Sequence, residues 1–306
     1  MNRPDLRGLI AAIVTPMHAD FSVDEASLRR YARWIVDQGV AGVAVNVDTG
    51  EGMHLSLTER VRTVEVVLDE VGGRTTVVGG LSASATKTAA DAAARMASLG
   101  VDALLVFPHP VYLGEPLDPE IAVRYHQAVA QASGLPLIAF QLQPALGGVN
   151  FAAEVLAGIM GVEGVVAIKE ASFDAKRFVE AVRLVSSLPS GAIVLNGNDN
   201  FLLEAYLLGA EGALLGFGTL AASEQVEMHQ AVREGNLDAA GDLGRRLQAL
   251  CDVIFAAPVR DYRARLKHAL VQLGVIAEGH VRPPLLPLRE PERERVELAL
   301  KRAGLR

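Results

Sequence analysis

The chain has 306 residues, half of them hydrophobic and only 5% aromatic, enough apolar side chain to bury a large core and to exclude a disordered polymer. Twenty-nine Lys and Arg against 36 Asp and Glu leave a net charge of −7. No basic cluster is interleaved with aromatics, which argues against a nucleic-acid groove and leaves a small neutral or anionic metabolite as the ligand class. A single cysteine, Cys251, excludes an internal disulfide framework and any CxxC site. The opening "MNRPDLRGLIAAIVTP" carries too short an apolar run for a signal segment, and no run reaches about 18 apolar residues. The expectation is a soluble cytoplasmic protein with no membrane partner.

Short apolar runs alternate with longer helical patterns at a period of roughly 25 to 30 residues, the size of a βα unit. In chain order the runs are "LIAAIV" from Leu9, "GVAVNV" from Gly42, "TTVVGG" from Thr75, "ALLVF" from Ala103, "PLIAF" from Pro136, "VVAI" from Val165, "AIVL" from Ala192 and "ALLGF" from Ala213. Capping boxes at "SVDE" from Ser22 and "SLTE" from Ser56 predict helix starts, as does Asp118 followed by Pro119. Gly39, Gly100, Gly134 and Gly209 stand where helices should stop. Strands apolar on both faces, each followed by a helix, imply a parallel sheet, and eight repeats fit a closed (β/α)8 TIM barrel better than an open sheet. No GxGxxG follows the first run, which weakens a dinucleotide fold. Beyond about residue 220 only helical patterns remain, so residues 1–220 are expected to form the barrel and 221–306 a C-terminal helical extension.

In such barrels chemistry gathers at the C-terminal strand ends. The sixth run ends in Lys169, where desolvation would lower the amine pKa and allow attack on a carbonyl; a lysine snorkelling to solvent or pairing with Glu170 fits the spacing equally well. The second run ends in Asp48, Thr49 and Gly50, a turn whose amides and hydroxyl suit a carboxylate, although turns favour these residues anyway. "NGNDN", with Gly197 and Asp199, and "GFGTLAAS", with Gly216, end the last two runs and suit substrate hydroxyls, a phosphate, or simple turning and packing. The seven histidines show no HxH or HExxH spacing, so no metal is expected; His109 lies after the fourth run, and Tyr31 and Trp34 read as packing residues.

Together "AIVTPM" at 12–17, "TGE" at 49–51, "AIKEAS" at 167–172, "NGND" at 196–199, "GAEGAL" at 209–214 and "LKRAGL" at 300–305 resemble the dihydrodipicolinate synthase and N-acetylneuraminate lyase family of class I aldolases. The resemblance runs over essentially the whole chain. It implies a (β/α)8 barrel with a helical C-terminal domain, a homotetramer or dimer, no cofactor, and Lys169 forming a Schiff base with a 2-oxo acid such as pyruvate. Thr49 and Gly50 would then hold the substrate carboxylate, with Gly197, Asp199, Gly216 and Phe140 around the rest of the substrate.

The chain departs from that pattern in four places. Asp48 replaces one of two adjacent hydroxyls, and two carboxylates 4 Å apart repel by about 4 kcal/mol at an effective dielectric near 20. Phe140, followed by Gln141, stands where the family has its proton-shuttling tyrosine. The arginine of the synthase branch is missing from "QPALGG". The Pro-Tyr-Tyr that supplies a tyrosine across the subunit interface becomes Pro108-His109-Pro110, with Tyr112 two residues on. The resulting expectation is a lyase, aldolase or dehydratase, acting on a 2-oxo acid or a 2-keto-3-deoxy sugar acid, with Asp48 replacing the tyrosine and His109 or a water as weaker substitutes. The competing readings are a synthase-like condensation with a different aldehyde and a non-catalytic 2-oxo-acid-binding barrel.

Overall fold

A computed structural model describes residues 4–306. Eight parallel strands close into a barrel in sequential order: β1 (Gly8–Ala12), β2 (Gly42–Val45), β3 (Thr76–Leu81), β4 (Ala103–Val106), β5 (Leu137–Leu142), β6 (Val165–Ala171), β7 (Ile193–Asn196) and β8 (Gly212–Leu215). Each expected apolar run overlaps one of them. Along the strands side chains alternate between two separate apolar clusters. Ile10, Ala12, Ala44, Val78, Leu105, Ile138, Ala167, Leu195 and Leu214 fill the barrel interior. Leu9, Ala11, Val43, Val77, Leu104, Ala139, Ile168, Val194 and Leu215 face the helices. Burial on both faces explains why the strands read as continuous apolar runs.

The outer helices are α1 (Glu25–Val36), α2 (Leu57–Val71), α3 (Thr86–Leu99), α4 (Pro119–Ser133), α5 (Ala153–Met160), α6 (Ala175–Ser187), α7 (Leu202–Leu207) and α8 (Ala222–Arg233); α9 (Leu237–Ile254), α10 (Tyr262–Gln272) and α11 (Glu290–Arg302) follow. The capping box at Ser56 is present in both directions, and Asp118 caps α4 with Pro119 in its first turn. The box expected at Ser22 is absent: Asp24 caps α1 by accepting from the Ser27 amide, because Asp24 N–H is itself taken by the Pro16 carbonyl and the helix starts two residues later. Gly100 and Gly134 end their helices in the left-handed region. The long helical stretch from Ser223 breaks at Gly235, and Asn236 caps a new helix there. α8 packs against β1 and completes the outer ring. Among the described residues no helix is long and apolar enough to cross a membrane.

Candidate active site

Lys169 continues the inward-facing set of β6 between Ala167 and Ala171, so its side chain enters the barrel rather than leaving it. It is 8% exposed. Glu170 takes the outer face and is not its partner. That carboxylate accepts from Gln141 Nε2 (2.8 Å), the Ser172 amide (3.1 Å) and Asn198 Nδ2 (2.8 Å), leaving Lys169 free of a direct ion pair with it. Gln141 in turn accepts from the Phe151 amide (2.9 Å), so it braces the sheet from outside and does not reach the lumen.

The Lys169 amine lies 4.4 Å from the centroid of the Phe140 ring, directly across the β5–β6 ladder, where Phe140 and Lys169 are register partners. Desolvation lowers its pKa from the usual 10.5 to about 8, opposed by the charges of Asp199 and Asp48. Asp199 is 5% exposed, and its Oδ1 accepts from the Phe217 amide at 3.0 Å. Burial pushes this carboxyl up from 3.8 to about 7, with the Phe217 hydrogen bond and Lys169 pulling the other way. Gly197 permits this proximity: a Cβ there would stand 2.8 Å from Lys169 Cε and 2.8 Å from Ala171 Cβ.

The turn after β2 faces Lys169 from across the mouth. Thr15 Oγ1 donates to the Gly50 carbonyl at 2.7 Å, and a Cβ on Gly50 would meet the Ile13 carbonyl at 2.8 Å, so this turn is pressed onto the end of β1. Among the described residues the amides of Thr49 and Gly50 donate to no protein acceptor, which leaves two N–H groups and the Thr49 hydroxyl for an anion. Gly216 makes room behind them: a Cβ would come 3.0 Å from Thr49 Oγ1 and 3.1 Å from the Phe255 ring.

Asp48 has partners that sequence reasoning missed. Tyr262 and Arg263, the first two residues of α10, both reach it. The Tyr262 hydroxyl donates to Asp48 Oδ2 at 2.7 Å and lies 3.4 Å from Thr49 Oγ1. Arg263 pairs with Asp48 Oδ1 and donates through Nε to the Asp48 carbonyl at 2.7 Å. Burial holds the Tyr262 phenol well above its usual pKa, so it remains a neutral donor. Phe255, at the end of α9, stacks on Tyr262 with centroids 4.8 Å apart. More than 210 residues separate Asp48 from these partners, and a Tyr-Arg pair at a helix start carries no local mark of its destination.

Lys169, Asp48, Thr49, Gly50, Phe140, Gly197, Asp199 and Gly216 thus share one mouth. His109 stands apart: its Nδ1 accepts from the Val111 amide at 3.0 Å, and its ring lies about 6 Å from those of Tyr112 and Tyr125. Tyr112 is buried against Tyr125 and Phe151 within its own chain. A surface groove of about 760 Å³ between Asp5, Arg74, Thr76 and Asp102 lies at the strand N-termini and contains none of these groups.

A desolvated lysine on the sixth strand of a (β/α)8 barrel, with a turn of unpaired amides opposite it, is the arrangement of a class I aldolase-type lyase. Comparison with known proteins agrees. The profile of the Dihydrodipicolinate synthetase family matches residues 5–303, and the chain belongs to that family. It is 31% identical over 300 residues to the 4-hydroxy-tetrahydrodipicolinate synthase of Neisseria meningitidis serogroup C, covering 98% of this chain and 99% of that one. It is 32% identical over 301 residues to the enzyme of the same name from Methylococcus capsulatus, with 98% and 99% covered. The pyruvate complex of the chloride-inhibited dihydrodipicolinate synthase of Acinetobacter baumannii superposes with a TM-score of 0.87 at 28% identity, covering 98% and 100% of the two chains.

Proposed function

We propose that the protein is a Schiff-base-forming lyase acting on a 2-oxo acid such as pyruvate or a 2-keto-3-deoxy sugar acid, with Lys169 as its nucleophile. The observation that carries this reading is the buried Lys169 amine with a pKa near 8, so that roughly a tenth of it is neutral at pH 7. The neutral Nζ attacks the C2 carbonyl, the carbinolamine loses water, and the resulting protonated imine draws electrons from C3. Thr49 Oγ1 and the free amides of the turn hold the substrate carboxylate. The repulsion expected from Asp48 is offset by Arg263, which neutralises that side chain before substrate arrives.

Asp48, bonded to the Tyr262 hydroxyl, moves the protons that the family's tyrosine would move, since Phe140 has none to exchange. Asp199, with a pKa near 7, exchanges protons with the reacting centre at Lys169. The pyruvate bound by the Acinetobacter relative supports the 2-oxo acid. Exposed Met53, Leu57, Val111 and Leu113 near the β2 and β4 loops support a homotetramer or dimer, and we assign the protein to the cytoplasm.

Borohydride reduction with pyruvate, followed by mass spectrometry of the Lys169 peptide, tests the central step: an adduct on the wild-type protein and none on Lys169→Ala is the expected result. Failure of a whole panel of 2-oxo acids to leave an adduct would overturn the reading. Asp48→Asn should trap pyruvate yet lose turnover by 10²-fold or more; full turnover in that variant would remove Asp48 from the proton path.

A further inference from the structure

The mouth is divided into two unlike walls. Over β7, β8 and β2 stand Asp199, Thr49 and the Asp48–Tyr262 pair. Over β4, β5 and β6 the inward positions are Phe107, Phe140 and Leu142, joined by Leu146 from the turn after β5 and Phe173 from the turn after β6, all in one apolar cluster with the barrel interior. The Phe107 and Phe140 rings meet edge to face with centroids 5.1 Å apart.

Both turns that add to this wall are held in place. The chain after β5 folds back through Gly147, whose amide donates to the Pro144 carbonyl at 2.9 Å, and through Gly148, where a Cβ would stand 2.3 Å from the Leu142 carbonyl. Phe173 adopts a left-handed backbone, φ 61°, fixed by the Asn198 side chain accepting from its amide at 2.6 Å and by Asn200 donating to its carbonyl at 3.2 Å. A bulky residue kept in that conformation by two side chains is a built feature of the rim.

Positive charge is missing from the loops that carry this wall. Residues 107–118, 143–152 and 172–174 contain no Lys or Arg. Arg263, the cation at the opposite side, is committed to Asp48. Two polar side chains beside the wall are turned elsewhere: Gln141 braces Glu170 and Phe151, and Ser172 Oγ bonds with the Asp174 backbone. A second carboxylate on this side would be desolvated with no cation to pair with it.

We propose, building on the Schiff-base reading above, that the electrophile joined to or released from the 2-oxo acid is an uncharged aldehyde with an apolar or aromatic substituent, seated on Phe107, Phe140, Leu142, Leu146 and Phe173. In the condensing direction C3 of the Lys169-bound enamine attacks the aldehyde carbon, the C3–C4 bond forms, and the aldehyde oxygen takes a proton to become a 4-hydroxyl. Water then hydrolyses the imine, returning the Lys169 amine and releasing a 4-hydroxy-2-oxo acid whose C4 carries the apolar group. Cleavage is the exact reverse.

The test combines pyruvate trapping with aldehyde turnover on the same preparation of the full chain. Benzaldehyde and hexanal are each compared with glyceraldehyde and succinic semialdehyde, and the 4-hydroxy-2-oxo acid is followed by NMR. The expected result is a trapped pyruvate adduct together with kcat/KM about 10²-fold higher for the apolar aldehydes. An adduct with preference for the charged or hydroxylated aldehyde, or with turnover of none of the four, overturns the aldehyde assignment while leaving Lys169 chemistry standing. Absence of an adduct overturns both. Leu146→Arg, at a half-exposed turn position, should move the preference toward succinic semialdehyde; an unchanged preference counts against the wall.

Discussion

Lys169 is poised between burial, which expels its proton, and two carboxylates, which retain it. Asp199 is the larger of the two electrostatic influences and Asp48 the smaller. The direction of the effect follows directly. Removing the Asp199 charge takes away stabilisation of the ammonium, so Asp199→Asn should lower the Lys169 pKa from about 8 and shift the rise in pyruvate trapping to lower pH. The rate of adduct formation between pH 6 and 10 measures this, and a midpoint that stays in place or moves upward would refute the coupling. Asp199 itself ionises near 7, so the shift belongs to the pair and grows as pH rises through that value. Sequence located both residues at strand ends. Strand alternation already sets Glu170, adjacent to the lysine, on the other face of the sheet; its occupation by Gln141 and Asn198 is what the sequence could not show.

The segment linking β2 to α2 shows how elements distant in the chain fix one another. Glu51 has a left-handed backbone, φ 56°, and a fully buried carboxylate 2.5 Å from Lys267 Nζ of α10, which is equally buried. Lys267 also donates to the His280 carbonyl at 2.6 Å, and the Arg282 amide donates to Glu51 Oε2 at 2.8 Å. The ion pair therefore clamps the turn bearing Asp48, Thr49 and Gly50 to the C-terminal helices. Cutting one side of it leaves a buried charge alone, so Lys267→Met should cost about 3–5 kcal/mol in denaturant unfolding. Glu51→Gln combined with Lys267→Met should recover most of that loss, and equal losses in the single and double variants would contradict the pairing. The Ser56 cap of α2 was readable from four residues because its partners are local. The Ser22 cap was misread for the same reason in reverse: its competitor, the Asp24 side chain with the Pro16 carbonyl behind it, depends on a loop closure that the four-residue pattern omits.

Across the whole molecule, the helices beyond the barrel are part of the site. Gln248 and Cys251 of α9 both donate to the Asp199 carbonyl at 3.0 Å, Gln248 accepts from the Leu202 amide at 3.0 Å, and α10 brings Tyr262 and Arg263 to Asp48. Gln248→Ala leaves the Asp199 carbonyl and the Leu202 amide short of a partner, so we expect about 1–3 kcal/mol of lost stability and a drop in kcat with pyruvate trapping retained. A variant with lowered stability and unaltered kcat would show that α9 merely props the loop. We propose that the structural boundary of the barrel falls after α8, with α9–α11 as a site-completing layer. The barrel, its eight strands and the lysine at the end of the sixth were all legible in the chain, because period, burial on both faces and position along a strand are local properties of the sequence. The neutralisation of Asp48, the clamp on its turn and the apolar wall opposite Asp199 were decided by tertiary structure, because each joins residues whose proximity arises only when the barrel closes and the C-terminal helices dock onto it.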